Sequence, residues 1–163
     1  VTAPHEMLSA VNRFVCGRLA DGAFVTLWLG LVDARTGELQ YADAGHGHWT
    51  FMPPEGTPHQ PDGSRGMPLG IATEAEYELN RLPLEVGARV LLYSDGLVEQ
   101  VDSGSEAFGS SRVMQVLSAS DDPSEDVHRL DQALRAYAGT ASFADDLTIA
   151  SFGYYPPRSD DGL

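Results

Sequence analysis

The segment Arg89–Gly96 reads RVLLYSDG, and it predicts a buried strand that ends at an acidic residue. Three consecutive aliphatic residues closed by Tyr93 are typical of a strand inside a sheet. Asp95 follows directly, so the strand would hold its carboxylate at the end of the sheet. Gly96 then lets the chain turn, or lets a ligand approach the backbone closely. Asp95 is therefore the first candidate site residue.

A second segment with acidic residues beside a strand lies near the C-terminus. Asp145–Phe152 reads DDLTIASF, with the acids at the entrance of the strand. If the two strands are antiparallel neighbours, the end of one lies beside the start of the other. Asp95 would then converge with Asp145 or Asp146 on an oxygen-rich site. Such a site suits Mg²⁺ or Mn²⁺.

Length and charge narrow the function classes. A chain of 163 residues is most simply one domain with a sizeable core. The net charge of −14 argues against nucleic acid or an anionic membrane as a partner. All ten basic residues are Arg, which excludes a P-loop, a kinase-type phosphate lysine and a lysine Schiff base. No apolar run approaches the roughly 20 residues of a membrane span.

The single cysteine excludes further chemistry. Cys16 cannot form an internal disulfide or supply a cysteine zinc cluster. We expect it to be a structural thiol beside the apolar face of a helix, and we expect a cytoplasmic setting. The chain opens on Val1 rather than Met, which favours a piece of a longer protein.

The pattern of apolar and turn residues predicts six strands and three longer helices. Most neighbouring strands are joined by short turns, which favours an antiparallel α+β architecture over βαβ units. Asp122, Pro123 and Glu125 fit the first positions of a capped helix. The expected helices are 6–19, 110–118 and 123–138, and the expected strands are 23–32, 38–44, 49–52, 75–82, 89–93 and 147–152.

His46 and His48 raise the alternative of a His-x-His metal site in an unrelated metallohydrolase. A zinc site of this type needs a third ligand. His5, His59 and His128 all lie in unpromising helix or loop contexts. We therefore favour the interpretation that the pair belongs to a glycine-punctuated turn.

Six segments, taken together, resemble one known family. They occur in that family's order across residues 24–148, and the order is more specific than any single segment. The chain is similar to the bacterial metal-dependent (PPM, PP2C-like) serine phosphatases of the sporulation-protein-E type, which regulate sigma factors by partner switching. The segments are Phe24–Leu27 with Asp33 and Gly37, Tyr41–His46, Pro68–Gly70, Leu91–Glu99, Phe108–Gly109 and Asp145–Thr148.

The resemblance implies an α-β-β-α sandwich of two antiparallel sheets flanked by helices. It also implies two Mn²⁺ or Mg²⁺ ions that activate a water for attack on phosphoserine, so no side chain acts as a covalent nucleophile. Asp95 corresponds to one metal ligand, and Asp145, three residues before Thr148, corresponds to another. Asp146 and Gly96 are secondary candidates, as a further ligand or as support for the ligands.

The resemblance also sets the expected boundaries and partners. Residues 1–153 would form the C-terminal two-thirds of such a domain, and residues 154–163 a flexible tail. Family members carry further metal-binding carboxylates upstream, so activity of this chain alone is in question. The implied partner is a phosphorylated regulatory protein of the anti-sigma-factor antagonist type, and a homodimer stays open. The alternative is a phosphatase-like module that binds a sigma-factor regulator without catalysis.

Overall fold

The computed structural model describes residues 2–63, 65–139, 143 and 145–156. The described part contains six strands and four helices, and none of these helices has the length and hydrophobicity of a membrane span. Most of the expected C-terminal tail, from residue 157 on, lies outside the described residues. The elements are α1 (Pro4–Val15), β1 (Leu27–Val32), β2 (Glu38–Ala44), β3 (Trp49–Met52), β4 (Asn80–Pro83), β5 (Arg89–Tyr93), α2 (Gly96–Glu99), α3 (Gly109–Leu117), α4 (Pro123–Ala138) and β6 (Ile149–Gly153).

The strands form two antiparallel sheets, as the resemblance implied, and each sheet has three strands. One sheet has the order β1-β2-β4 and the other β3-β5-β6. The contacts divide the chain into two compact units. The first comprises residues 1–47 and 62–84 and contains the first sheet with α1. The second comprises residues 48–61 and 85–163 and contains the second sheet with α2, α3 and α4.

In the first unit, α1 packs against its sheet through Leu8, which is fully buried. Asn12, also fully buried, donates its side-chain amide to the carbonyl of Ala72 (2.8 Å), and its Oδ1 accepts the backbone N–H of Gly70 (2.9 Å). The helix is shorter than expected at its C-terminal end. It ends at Val15 because the backbone of Cys16, with ψ of 127°, is no longer helical, and Gly17, with φ of +74°, continues the turn away from the helix axis.

The prediction of a strand over residues 75–82 is wrong for most of that range. Only Asn80–Pro83 pairs, with residues 38–41 of β2. Further along β2, the carbonyl of Asp43 accepts the backbone N–H of Gly66 (2.8 Å), so a loop segment takes that part of the strand edge. The first strand likewise begins at Leu27 rather than residue 23, because Val25 makes only an isolated bridge to Leu69.

In the second unit, α2, α3 and α4 cover a common apolar cluster. The capped start of α4 is confirmed: Asp122 accepts the backbone N–H groups of Ser124 and Glu125, and Pro123 is the first helical residue. The helix ends at Ala138 and is followed by Gly139, whose φ is +62°. The buried members of the cluster are Met52, Leu91, Tyr93, Leu97, Phe108, Val113, Leu117, Leu130 and Leu134.

A buried ion pair ties the second sheet to α4. Arg89 on β5 donates to the carboxylate of Asp126 at 3.0 Å, and Asp126 is completely buried. Arg89 also donates to the carbonyl of Ser120 (2.6 Å), while the hydroxyl of Ser151 on β6 donates to Asp126 (2.8 Å). Buried charges require such partners, and this network therefore fixes β5, β6 and α4 relative to one another within the unit.

Candidate active site

The structure brings the ends of β5 and β6 together in the second unit. The two strands are antiparallel neighbours, with Tyr93 opposite Ile149. The backbone pairing continues past the last strand residues, because Ser94 donates its N–H to the carbonyl of Thr148 at 2.9 Å. The exit of one strand therefore lies beside the entrance of the other, which is the arrangement that the convergence of Asp95 with Asp145 requires.

Asp95 stands at the start of α2. Its carbonyl accepts the N–H groups of Val98 and Glu99 (both 2.9 Å), so the helix holds its backbone. The hydrogen bond to its side chain comes from the N–H of Gly96, which donates to Oδ1 at 3.0 Å. The side chain is exposed to solvent. A charged acceptor at the beginning of a helix is stabilised there by the unpaired N–H groups of the first turn.

Asp145 has a similar local arrangement on the other segment. Its Oδ1 accepts the backbone N–H of Asp146 at 2.7 Å, and both acids are exposed. In both Asp95 and Asp145, the Oδ1 atom accepts a hydrogen bond from the backbone N–H of the next residue. Both residues thus carry an exposed carboxylate close to the paired residues Ser94 and Thr148.

Gly96 packs closely against the backbone of Asp146 on the other segment. A Cβ placed on it would lie 2.6 Å from the carbonyl oxygen of Asp146 and 3.6 Å from that of Asp145. A side chain does not fit at this distance, so the glycine is required by packing rather than by a positive φ. Sequence reasoning offered a turn or a ligand as the reason for this glycine; the structure shows a neighbouring backbone.

The donor types at this position fit a hard divalent cation. Carboxylate and carbonyl oxygens are the ligands that Mg²⁺ and Mn²⁺ prefer. The number of donors is smaller than two octahedral ions need. Within residues 2–63, 65–139, 143 and 145–156, no group of three or more His, Cys, Asp and Glu side chains is arranged to hold a metal ion.

The structure shows a turn at His46 in the first unit. The buried carboxylate of Asp43 accepts the backbone N–H groups of His46 (2.7 Å) and Gly47 (3.0 Å). Gly45 and Gly47 have φ values of +77° and +67°. This geometry supports the turn interpretation of the His-x-His pair. Sequence reasoning missed the part played by Asp43, although an aspartate two residues before the first glycine of a turn is a known turn signal.

The carboxylate of Asp43 also acts on a neighbouring group. Burial raises the pKa of the Tyr41 hydroxyl, and the nearby negative charge of Asp43 raises it further. Tyr41 is buried and its ring stacks on Trp28 at 5.6 Å. The aromatic pair and the turn therefore belong to the packing of the first unit.

Comparison with known proteins defines the class to which this architecture belongs. Two antiparallel sheets with helices match the PP2C domain of SiaA from Pseudomonas aeruginosa, with a TM-score of 0.77 and 25% identity over 93% of this chain and 61% of that chain. RsbX in complex with magnesium has the same fold at 17% identity, with a TM-score of 0.62 over 90% of this chain and 62% of that chain. The fold is that of a PP2C-like phosphatase domain.

The family follows from the sequence match. The family model of stage II sporulation protein E (SpoIIE) matches residues 2–153, and the chain belongs to this family of PP2C-type serine phosphatases. Protein IcfG from Synechocystis sp. is 30% identical over 118 residues, which are 70% of this chain and 18% of IcfG. Phosphoserine phosphatase RsbU from Bacillus subtilis is 26% identical over 96 residues, 59% of this chain and 29% of RsbU. The chain thus spans less than a third of either relative.

Proposed function

We propose that this chain is part of a metal-dependent protein phosphatase that hydrolyses phosphoserine or phosphothreonine on a small regulatory protein. The observation that carries the proposal is the backbone pairing of Ser94 with Thr148, because Asp95 directly follows Ser94 and Asp145 precedes Thr148 by three residues. Membership of the SpoIIE family and the similarity to a phosphoserine phosphatase support the reaction class.

Asp95 and Asp145 are the metal ligands in this proposal. Asp146 contributes a further carboxylate. Gly96 lets the backbones of the two segments approach each other closely. The cofactor is Mn²⁺ or Mg²⁺, two ions in a complete site, and the chemistry these ions supply when bound is activation of water and neutralisation of phosphoryl charge. The contribution of the chain itself is orientation, because backbone N–H groups hold Oδ1 of Asp95 and of Asp145.

The substrate is a phosphorylated regulatory protein of the anti-sigma-factor antagonist type. A net charge of −14 makes nucleic acid an unfavourable partner. It also means that the cation at the site has to offset the repulsion of an incoming phosphate. With such a partner, the protein would act in the cytoplasm, in the control of sigma factors by partner switching. A homodimer is compatible with this role.

The donor count predicts low activity for this chain alone. Two carboxylates do not complete octahedral shells around two hard ions, so further ligands have to come from elsewhere in a longer protein. The test is Mn²⁺-dependent release of phosphate from a phosphoserine protein substrate by the 163-residue chain and by a version extended upstream. We expect turnover by the extended version, slower by orders of magnitude for the short chain. Equal turnover by the two would contradict the ligand count.

The same donor count favours a second candidate, a phosphatase-like module that binds its regulator without hydrolysing it. Binding and turnover separate the two candidates. An extended protein that retains the phosphorylated regulator and releases no phosphate with Mn²⁺ or Mg²⁺ supports the binding module. Release of phosphate that depends on Asp95 supports the enzyme.

A further inference from the structure

Ser94 occupies the position where the β5–β6 ladder changes into α2. In an antiparallel ladder, Ser94 and Thr148 would exchange two backbone hydrogen bonds. One of them is present, from the N–H of Ser94 to the carbonyl of Thr148 at 2.9 Å. The carbonyl of Ser94 instead accepts the N–H of Leu97 at 3.1 Å, which forms the first turn of the helix. The backbone acceptor that Thr148 would ordinarily use is therefore engaged elsewhere.

The hydroxyl of Ser94 replaces that acceptor. The N–H of Thr148 donates to Oγ of Ser94 at 2.9 Å. The same hydroxyl donates its proton to the carbonyl of Asp146 at 3.0 Å. A side chain that accepts one bond and donates the other at this length must carry a hydroxyl, so only Ser or Thr meets the requirement. The two bonds fasten the segment before β6 to the residue that precedes Asp95.

We propose that Ser94 is a positioning residue that sets the separation of the Asp95 and Asp145 carboxylates, and through it the affinity for the divalent cation. The inference rests on the proposed function, in which these two carboxylates bind the metal. Groups that hold metal ligands in place typically contribute about 10- to 100-fold in metal affinity. We therefore expect Ser94→Ala to weaken Mn²⁺ binding by at least about tenfold, and Ser94→Thr to bind close to the parent.

The experiment uses the ¹⁵N-labelled protein extended upstream, which supplies the further ligands that the proposed function requires, in two steps. Without metal, amide hydrogen exchange is measured at Thr148 and Leu97. Ser94→Ala should speed exchange at Thr148, which loses its acceptor, and leave Leu97 unchanged, because its acceptor is a backbone carbonyl. Mn²⁺ is then titrated, and paramagnetic broadening of the amides of Gly96 and Asp146 gives the affinity. Ser118→Ala is the matched control, because that hydroxyl, one residue beyond α3, donates to the carbonyl of Met114 and lies in a different segment from both acids.

The outcomes separate this inference from the proposed function. Unchanged Mn²⁺ affinity in Ser94→Ala, with affinity lost in Asp95→Asn, would overturn the positioning role and leave the metal site intact. Unchanged or absent broadening in both the parent and Asp95→Asn would overturn the proposed function, and the positioning role with it. If Ser94→Ala fails to fold, Ser94→Cys replaces it. The thiol should weaken binding, and a Cys variant that binds as the Thr variant does would contradict the proposal.

Discussion

Gly96 and Asp146 lie so close that a Cβ on the glycine would be 2.6 Å from the aspartate carbonyl oxygen. Gly96→Ala should therefore destabilise the protein by about 1–3 kcal/mol, although alanine is normally the better residue in a helix. Urea unfolding measures the change. Gly104→Ala is the control, because the nearest atom to its Cβ would be a side-chain oxygen of Asp102, at 3.3 Å. A Gly96→Ala variant at least as stable as the parent would show that the two segments are not held this tightly.

The buried pair of Arg89 and Asp126 should dominate the electrostatic part of stability. Asp126→Asn leaves the guanidinium without its counter-charge, and loss of one partner of a buried pair costs about 3–5 kcal/mol. The control is Asp131→Asn, which breaks an exposed pair with Arg135 on the same helix and should cost about 0.3–0.5 kcal/mol. The measurement is the free energy of unfolding of each variant. Similar losses in both variants would contradict the claim that the buried pair contributes more to stability than the exposed one.

Asp122 should give the protein part of its acid sensitivity. Hydrogen bonds from the Ser124 side chain and then from its backbone lower the pKa of the Asp122 carboxyl below its usual value of 3.8. A carboxylate whose pKa is lower in the folded state stabilises the fold above its unfolded pKa. That contribution is lost as the pH falls through the folded pKa, hence below about pH 4.

Replacement of Asp122 tests this assignment. Asp122→Asn and Asp122→Ser retain an N-cap acceptor but cannot titrate, so both should keep most of the neutral-pH stability and show a shallower loss between pH 4 and pH 2. The measurement is the unfolding free energy across that range. Acid profiles as steep as that of the parent in both variants would assign the sensitivity to other groups.

Part of this organisation could be predicted from the sequence, because local signals agree with the tertiary structure. The apolar run before Asp95 and the acids before β6 predicted two strand ends with carboxylates, and the structure shows those strands paired. The cap at Asp122 and the stop at Gly139 were predicted for the same reason, since each acts on backbone within a few residues.

The rest depends on contacts between residues far apart in the chain. Arg89 and Asp126 are 37 positions apart, and no residue pattern around either one indicates that the other is its partner. The hydroxyl of Ser94 reaches Thr148 across 54 positions, which only the register of β5 and β6 reveals. The prediction of a strand over 75–82 was wrong because alternating side chains do not show whether a neighbouring strand has a free edge. The loop at Gly66 donates a backbone hydrogen bond to Asp43 and so occupies that part of the edge of β2.

The metal preference should be for Mn²⁺ or Mg²⁺ over Zn²⁺. The candidate ligands are carboxylate oxygens on strand ends, and the backbone turn at His46 is held by Asp43 rather than organised around a cation. Calorimetric titration with each ion measures the affinities, with a His46→Ala/His48→Ala variant as the control. Tight Zn²⁺ binding that disappears in the histidine variant would favour the His-x-His alternative.

The central claim is that Asp95 and Asp145 hold the divalent cations of a phosphoserine phosphatase. The most direct measurement is the Mn²⁺-dependent rate of phosphate release from a phosphoserine substrate by an upstream-extended protein and its Asp95→Asn, Asp145→Asn and Asp131→Asn variants. Loss of metal-based activation should lower the rate of the first two by orders of magnitude, while the partly exposed Asp131, which pairs with Arg135 on α4, should not matter. An Asp95→Asn variant as active as the parent would contradict the claim.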